Sequence, residues 1–307
     1  MTTVNEMLYG NNLFGEPITP KSRGPVADRF GFPPFSVLDA RSGEWQDRKQ
    51  AWASMGIQGE VGRDAASIHC PTSASKSAPL EDANFTSIFD PTLCELAYRW
   101  FSPPSGQVVD PFAGGSVRGI VAGALGRKYW GCDLRQEQID ANEVQADEIE
   151  VDPRPAWVCG DSMQTLDGAP FADFVFSCPP YGDLEKYSDD PADLSNMDWD
   201  TFTATYKRII AKSVRILKLD RFACFVVGDF RDRRGFYRDF VSTTISGFRD
   251  AGAELYNEGI LVTSVGSASM RVTKQFDASR KFAKTHQNVL IFCKGDPRKA
   301  SRACGEI

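Results

Sequence analysis

Four short clusters in this chain bring together residue types that hold and activate small polar molecules. They are Asp110-Pro111-Phe112-Ala113-Gly114-Gly115-Ser116, Gly131-Cys132-Asp133-Leu134, Cys159-Gly160-Asp161-Ser162 and Cys178-Pro179-Pro180-Tyr181. In the first, the glycines let a ligand approach the backbone, and a helix starting there offers the partial positive charge of its N-terminus. The pattern is not GxGxxG, which argues against a dinucleotide, and a plain strand-to-helix turn stays open as the simpler reading. Asp133 follows Asp110 by 23 positions, about where an acid accepts hydrogen bonds from ribose hydroxyls. Strand-end aspartates also cap helices, and that alternative stays open too. Asp161 is placed to accept from an exocyclic amine. In the fourth cluster, Pro179 and Pro180 end an apolar run. Proline lacks the N–H that a central strand needs, so the chain leaves the sheet stiffly and presents the Tyr181 ring.

These clusters need a scaffold, and the flanking pattern supplies one. Residues 91–101 form an amphipathic segment, read as a helix. Then strands over 107–112, 128–134, 156–162, 171–178 and 222–230 alternate with helices over 116–126, 135–149, 198–218 and 236–252. Strands at 254–262 and 287–293 close the pattern, joined by a loop alone, so one of them is expected to run antiparallel. Such alternation predicts an α/β fold with a mostly parallel sheet covered on both faces. Each of the four clusters falls at the carboxyl end of a strand, where open parallel sheets bind ligands. Residues 45–56 suggest a short helix closed by Gly56, whereas residues 1 to about 30 and the stretch from His69 to Asn84 read as loop.

The whole chain of 307 residues is 42% hydrophobic and 25% charged, ordinary values for a soluble globular protein. No apolar run approaches the roughly 20 residues of a membrane span. The first residues lack the basic and apolar regions of a secretory signal. The eight cysteines form no CxxC pair, and His69 and His286 are the two histidines, which argues against a zinc site. Cys132, Cys159, Cys178, Cys224 and Cys293 lie in or beside apolar runs, which predicts buried, reduced thiols and a cytoplasmic protein. The net charge of −6 argues globally against a nucleic-acid binder. The charge is uneven, however. Residues 137–152 are acidic, whereas 207–238 and 271–284 are dense in Lys and Arg. One basic face can still meet a polyanion, and solvated helix faces are the competing reading.

Taken in order, the four clusters resemble those of the DNA amino-methyltransferases, which use S-adenosylmethionine to methylate the exocyclic nitrogen of adenine or cytosine. The resemblance covers roughly residues 86 to 230. The stretch Ser87-Ile88-Phe89-Asp90-Pro91 resembles the family's methionine-contacting segment. The resemblance implies a Rossmann-like class I methyltransferase fold, a doubly wound sheet with a late antiparallel strand, over residues 87–294. Residues 1–86 would then be an N-terminal extension, partly loop, and 295–307 a tail. It further implies S-adenosylmethionine bound by Ser87, Phe89, Asp110, Phe112, Gly114, Gly115, Ser116, Asp133 and Asp161, with Cys178, Pro179, Pro180 and Tyr181 as the catalytic tetrad. The partner would be DNA, with no membrane and no metal, and a homodimer stays open.

Because the glycine turn precedes the tetrad, base reading is expected in the C-terminal third. DNA-contacting loops are expected at about 183–198, 229–238 and 264–284, with Arg271, Lys274, Arg280, Lys281 and Lys284 on phosphates. Two positions depart from the family pattern. Cys178 stands where Asp, Asn or Ser is usual, closest to the Ser form commoner among cytosine-N4 enzymes, and Ser116 stands where many members have glycine. Two further readings remain beside this one. One keeps the fold with RNA or a protein glutamine as substrate. The other is a catalytically silent protein that binds S-adenosylmethionine or DNA.

Overall fold

The computed structural model describes residues 4–10, 16, 18, 22–57, 89–182, 188–266 and 268–306, the side chains of Val4, Ala268 and Arg271 apart. Ser87 and residues 183–187 of the first expected DNA loop lie outside the described residues. The strands are β1 (Val37–Asp39), β2 (Gln107–Asp110), β3 (Lys128–Asp133), β4 (Ala156–Cys159), β5 (Ala172–Ser177), β6 (Leu217–Val227), β7 (Glu254–Val262) and β8 (His286–Lys294). They form one sheet in the order β1-β7-β8-β6-β5-β2-β3-β4. Every neighbouring pair is parallel except the two that involve β8. This mostly parallel, doubly wound sheet with one late antiparallel strand is the Rossmann-like class I methyltransferase fold.

The helices are α1 (Val4–Tyr9), α2 (Pro25–Phe30), α3 (Gly43–Ala53), α4 (Pro91–Phe101), α5 (Val117–Ala124), α6 (Gln136–Ile149), α7 (Ser162–Thr165), α8 (Trp199–Ile216), α9 (Phe240–Asp250), α10 (Ala268–Ser279) and α11 (Pro297–Cys304). Alternation along the central strands splits the core in two. Phe174, Phe176, Phe222, Cys224 and Val226 face α3, α4 and α5. Val175, Ala223, Phe225 and Val227 face α8 and α9. Both faces are thus buried, which is why β5 and β6 read as continuous apolar runs. Full burial of each large side chain contributes about 1.5–3 kcal/mol.

Helix starts follow local chemistry. Asp90 caps α4 by accepting from the N–H groups of Thr92 and Leu93, with Pro91 in the first turn. Asp198 does the same for α8, and Asp296 with Pro297 for α11.

Parallel register brings strand ends to one edge. Asp110 pairs with Gly131, Asp133 with Cys159, and Ser177 with Phe225. Because β8 runs the other way, its first residues arrive at this same edge, with Asn288 opposite Val227 and His286 opposite Val262.

Several elements differ from the sequence expectation, among them α1 and α2, which form in the N-terminal stretch read as loop. The last two strands are joined by α10 rather than by loop alone. Its residues from Thr273 to Ser279 are exposed, so no core face marks it in the sequence. The N-terminal extension adds β1 to the sheet beside β7 and docks α3 on α4. Arg48 of α3 makes a buried bidentate pair with Glu95 of α4, at 2.8 and 2.7 Å, and Trp52 Nε1 donates to the same carboxylate at 2.8 Å. Finally, the stretch after Lys294, expected as a tail, forms α11, which buries Ala300 and Cys304.

Cys132, Cys224 and Cys293 are buried and reduced as expected, and Cys178 is half-buried. Cys159 is exposed instead, at the end of the edge strand β4. Among the described residues, no helix is long and apolar enough to cross a membrane.

Candidate active site

Asp110 lies at the centre of the edge and is fully buried. Its Oδ1 accepts from Ser177 Oγ at 2.5 Å and from the Phe112 N–H at 3.1 Å. Its Oδ2 accepts from Arg118 Nε at 2.5 Å and Tyr129 OH at 2.8 Å. Burial opposes the charge on Arg118, but the adjoining carboxylate more than offsets this and raises its pKa above the ordinary guanidinium value. Burial, and then the same carboxylate, push the Tyr129 phenol well up, so it remains a donor. Arg118 also donates to the carbonyls of Phe112 at 2.6 Å and Ala113 at 2.9 Å. Asp110 was expected to face a ligand. In the structure it instead ties the β2–α5 turn to the end of β5, using donors from β3 and α5.

Ser116 likewise turns inward. It is buried, and its hydroxyl bonds to Gln145 Oε1. Phe112 is half-buried and packs on Tyr206 at 6.1 Å. The half-exposed residues of this corner are Gly114, Gly115, Asp133 and Asp161. Asp133 accepts from the Gly114 N–H at 3.1 Å and the Arg135 N–H at 3.0 Å. Asp161 caps α7 through one oxygen, accepting from the Met163 N–H at 2.8 Å. The corner is acidic. Partial burial, then the carboxylates of Asp133, Glu137 and Asp140, push the Cys159 thiol up. On the other side of β2, Phe89 packs edge-on against Phe176 at 5.5 Å, under the Arg118 guanidinium at 4.6 Å.

The tetrad leaves β5 directly after Ser177, so the Ser177–Asp110 bond links it to the glycine turn. Cys178, Pro180 and Tyr181 are half-buried and Pro179 is buried. The Tyr181 ring packs edge-on against Phe240 at 5.9 Å and Phe230 at 6.3 Å. Its hydroxyl accepts from Gln287 Nε2 at 2.8 Å. Gly182, at φ +55°, turns the chain at once, and a Cβ there would come within 2.9 Å of the Phe230 ring.

The sequence reading missed Gln287, together with Arg118, Tyr129 and Ser177. Gln287 was detectable only by asking which residues an antiparallel strand delivers to the catalytic edge.

The basic clusters divide into two kinds. In the first, Lys212 and Arg215 pair with Asp167, and Lys218 and Arg221 with Asp173. These are the solvated, neutralised faces of the simpler reading. In the second, Arg231, Arg233, Arg234, Lys274, Arg280 and Lys281 have no ion pair among the described residues. Lys274, Arg280 and Lys281 are carried by α10 and the loop after it, with Arg280 over the Phe276 ring at 5.2 Å. Lys284 lies nearest the tetrad: its Cε is 3.5 Å from where a Cβ on Gly228 would sit, and that point is 3.8 Å from the Tyr181 ring. Partial burial pulls the Lys284 pKa down, and Asp229 works against that pull. The side chain of Arg271 lies outside the described residues.

No protein-family model matches the chain, and no curated protein matches it. Solved structures do. TrmN from Thermus thermophilus is 12% identical over 66% of this chain and 48% of its own, with a TM-score of 0.45. This chain therefore spans about half the length of that protein. The magnesium protoporphyrin IX methyltransferase ChlM from Synechocystis PCC 6803, with bound SAM, is 12% identical over 63% of this chain and 71% of its own, at a TM-score of 0.41. A second Thermus thermophilus protein, assigned by inference as a DNA modification methylase, is 18% identical over 45% of this chain and 51% of its own, at 0.34. All three scores are below 0.5, and the fold assignment rests on the strand order of the chain itself.

Proposed function

We propose that the protein is an S-adenosylmethionine-dependent methyltransferase acting on the exocyclic amine of adenine or cytosine in DNA. The observation that carries this reading is the seating of Cys178-Pro179-Pro180-Tyr181 at the tip of β5, tied through Ser177 and Asp110 to the glycine turn at the tip of neighbouring β2. The donor chemistry of the corner fits the cofactor. Carboxylates at the adjacent tips of β3 and β4 suit ribose hydroxyls and an adenine amine, and their negative field suits a sulfonium while repelling a pyrophosphate. Asp133 would hold the ribose, Asp161 the adenine amine and Gly114 and Gly115 the close backbone approach. When bound, the cofactor supplies an electrophilic methyl group.

The chain itself supplies position. An exocyclic amine inside a duplex is out of reach, so the base is flipped out. The Tyr181 face stacks on it. Cys178 and a backbone carbonyl of the tetrad accept hydrogen bonds from the amine, which directs the nitrogen lone pair outward from the ring. Cys178 and the tetrad carbonyl would hold the amine while it exchanges one N–H proton, released to solvent, for the methyl group that the cofactor would supply. Most of the rate on this scheme comes from orientation. DNA from a host free of endogenous methylation, expressing this chain, should carry N6-methyladenine or N4-methylcytosine at one short sequence. Absence of both, with the protein folded and expressed, sinks the reading.

Two further results are expected. Asp133→Ala removes charge-assisted hydrogen bonds of about 1.5–3 kcal/mol each, so cofactor affinity should fall at least ~tenfold. Titration calorimetry with S-adenosylmethionine measures it, and unchanged affinity rules out the ribose role. Replacing Arg280 and Lys281 by Ala should lower the salt slope of DNA binding by about one to two units. An unchanged slope leaves these cations as solvated surface.

A further inference from the structure

The segment joining β6 to α9 is a short, stiff knuckle rooted in the candidate site. Phe230, at its base, packs edge-on against both Tyr181 at 6.3 Å and Trp199 at 5.6 Å. Arg231 and Tyr237 then pair as an antiparallel bridge. Inside the bridge the backbone is closely braced. Asp232 N–H donates to the Phe236 carbonyl at 2.8 Å, and Gly235 N–H to the Asp232 carbonyl at 2.9 Å. Asp232 Oδ1 accepts from the Phe236 N–H at 2.9 Å, and Arg231 Nη1 donates to the Gly235 carbonyl at 2.8 Å. Gly235 takes φ +92°, a backbone conformation that side chains rarely adopt, which is why glycine closes the knuckle, with the Lys281 ammonium lying against it.

What this bracing presents is a bare aromatic ring. Phe236 is 63% exposed, with the Arg234 guanidinium 5.3 Å from its centroid. Arg231, Arg233 and Arg234 beside it have no carboxylate partner among the described residues, unlike the paired cations of α8 and the start of β6. Single exposed apolar residues are common and need no explanation. Here, however, the ring stands on the returning arm of a hydrogen-bonded turn whose tip is Arg233-Arg234, and the turn springs from the residue that packs on Tyr181. A stiff apolar wedge flanked by phosphate-binding cations is what opening a base stack requires, because unstacking a step costs a few kcal/mol that an inserted side chain offsets.

We propose that Phe236 is a wedge that enters duplex DNA beside the target base and stabilises its flipped state, while Arg233 and Arg234 hold the flanking phosphates. This rests on the DNA-methyltransferase reading. The test uses two duplex oligonucleotides carrying the mapped site, one fully paired and one with the target base mismatched. On the paired duplex, Phe236→Ala should methylate at least ~tenfold more slowly than wild type, because the enzyme must now bear the unstacking cost unaided. On the mismatched duplex, where that cost is already largely met, the two should agree within about twofold. Phe236→Trp should stay close to wild type on both, and all variants should melt with wild type because position 236 is exposed. Equal loss on both duplexes, or no loss on the paired one, overturns the wedge while leaving the methyltransferase reading intact. A wild-type protein that methylates neither duplex overturns that reading and the wedge together.

Discussion

Tyr181→Ala should lower kcat for methyl transfer by about 10- to 1,000-fold, the scale of losing one transition-state contact together with base stacking worth about 1–3 kcal/mol. The ring is half-buried and packs on Phe230 and Phe240, so its removal also loosens the base of the knuckle. Tyr181→Phe separates the two effects. It keeps the packing and the stacking face and removes only the hydroxyl that Gln287 holds at 2.8 Å. Its loss should therefore be smaller than that of Tyr181→Ala, and Gln287→Leu should match it. At position 178 the expected order follows acceptor strength. Cys178→Ser keeps activity, Cys178→Asp keeps or raises it, and Cys178→Ala drops about 10- to 1,000-fold while the backbone carbonyl and the prolines stay. Single-turnover transfer from labelled S-adenosylmethionine to DNA measures each. Full activity in Tyr181→Ala removes the tetrad from the mechanism. An inactive Cys178→Ser beside an active wild type assigns the thiol a chemistry that a hydroxyl cannot perform.

The central sheet was legible because burial on both faces writes itself into sequence as apolar runs, and β2, β5 and β6 carry that signature. The β1 edge was not. β1 is Val37–Asp39, too short to show any period, and it joins the sheet only through a partner more than two hundred positions later. α10 rests on no core face, so its helical spacing had nothing to point at. The candidate site divides in the same way. Asp133 and the tetrad were visible because glycine, proline and acid at strand ends are unusual in local sequence. Gln287, Tyr129, Ser177 and Arg118 are ordinary residues whose roles come from register alone. Asp110 shows the limit most clearly. Its position at a strand tip was readable, but the side chain's direction was not: it points into the protein, where the four donors are.

The most damaging change outside the tetrad should be the loss of Arg118. Asp110 and Arg118 are both within 5% of full burial, with Nε and Oδ2 at 2.5 Å. Desolvation of such a pair largely cancels its attraction, so the pair as a whole adds little to stability. Removing one member is different, because the other charge is left buried without a counter-ion, at about 3–5 kcal/mol. Arg118→Met keeps most of the side-chain volume, and should therefore lower the melting temperature by about 10 °C for a domain of this size. Asp110→Asn should cost a similar amount from the other side, stranding the guanidinium. In the double variant both charges are gone, so the loss should be well below the sum of the two single losses. The position of the pair adds a functional signature. Arg118 also holds the carbonyls of Phe112 and Ala113, and Asp110 holds Ser177 and the Phe112 N–H. Even where the double variant regains stability, the β2–α5 turn and the tetrad lose their common anchor. S-adenosylmethionine affinity and kcat should therefore remain depressed when the melting temperature has partly recovered. Single variants within about 1 kcal/mol of wild type would be out of reach for an uncompensated buried charge, and would mean that water reaches this pair. A double variant that regains activity along with stability would reduce Asp110 to a structural ion pair, with no part in joining the two halves of the site.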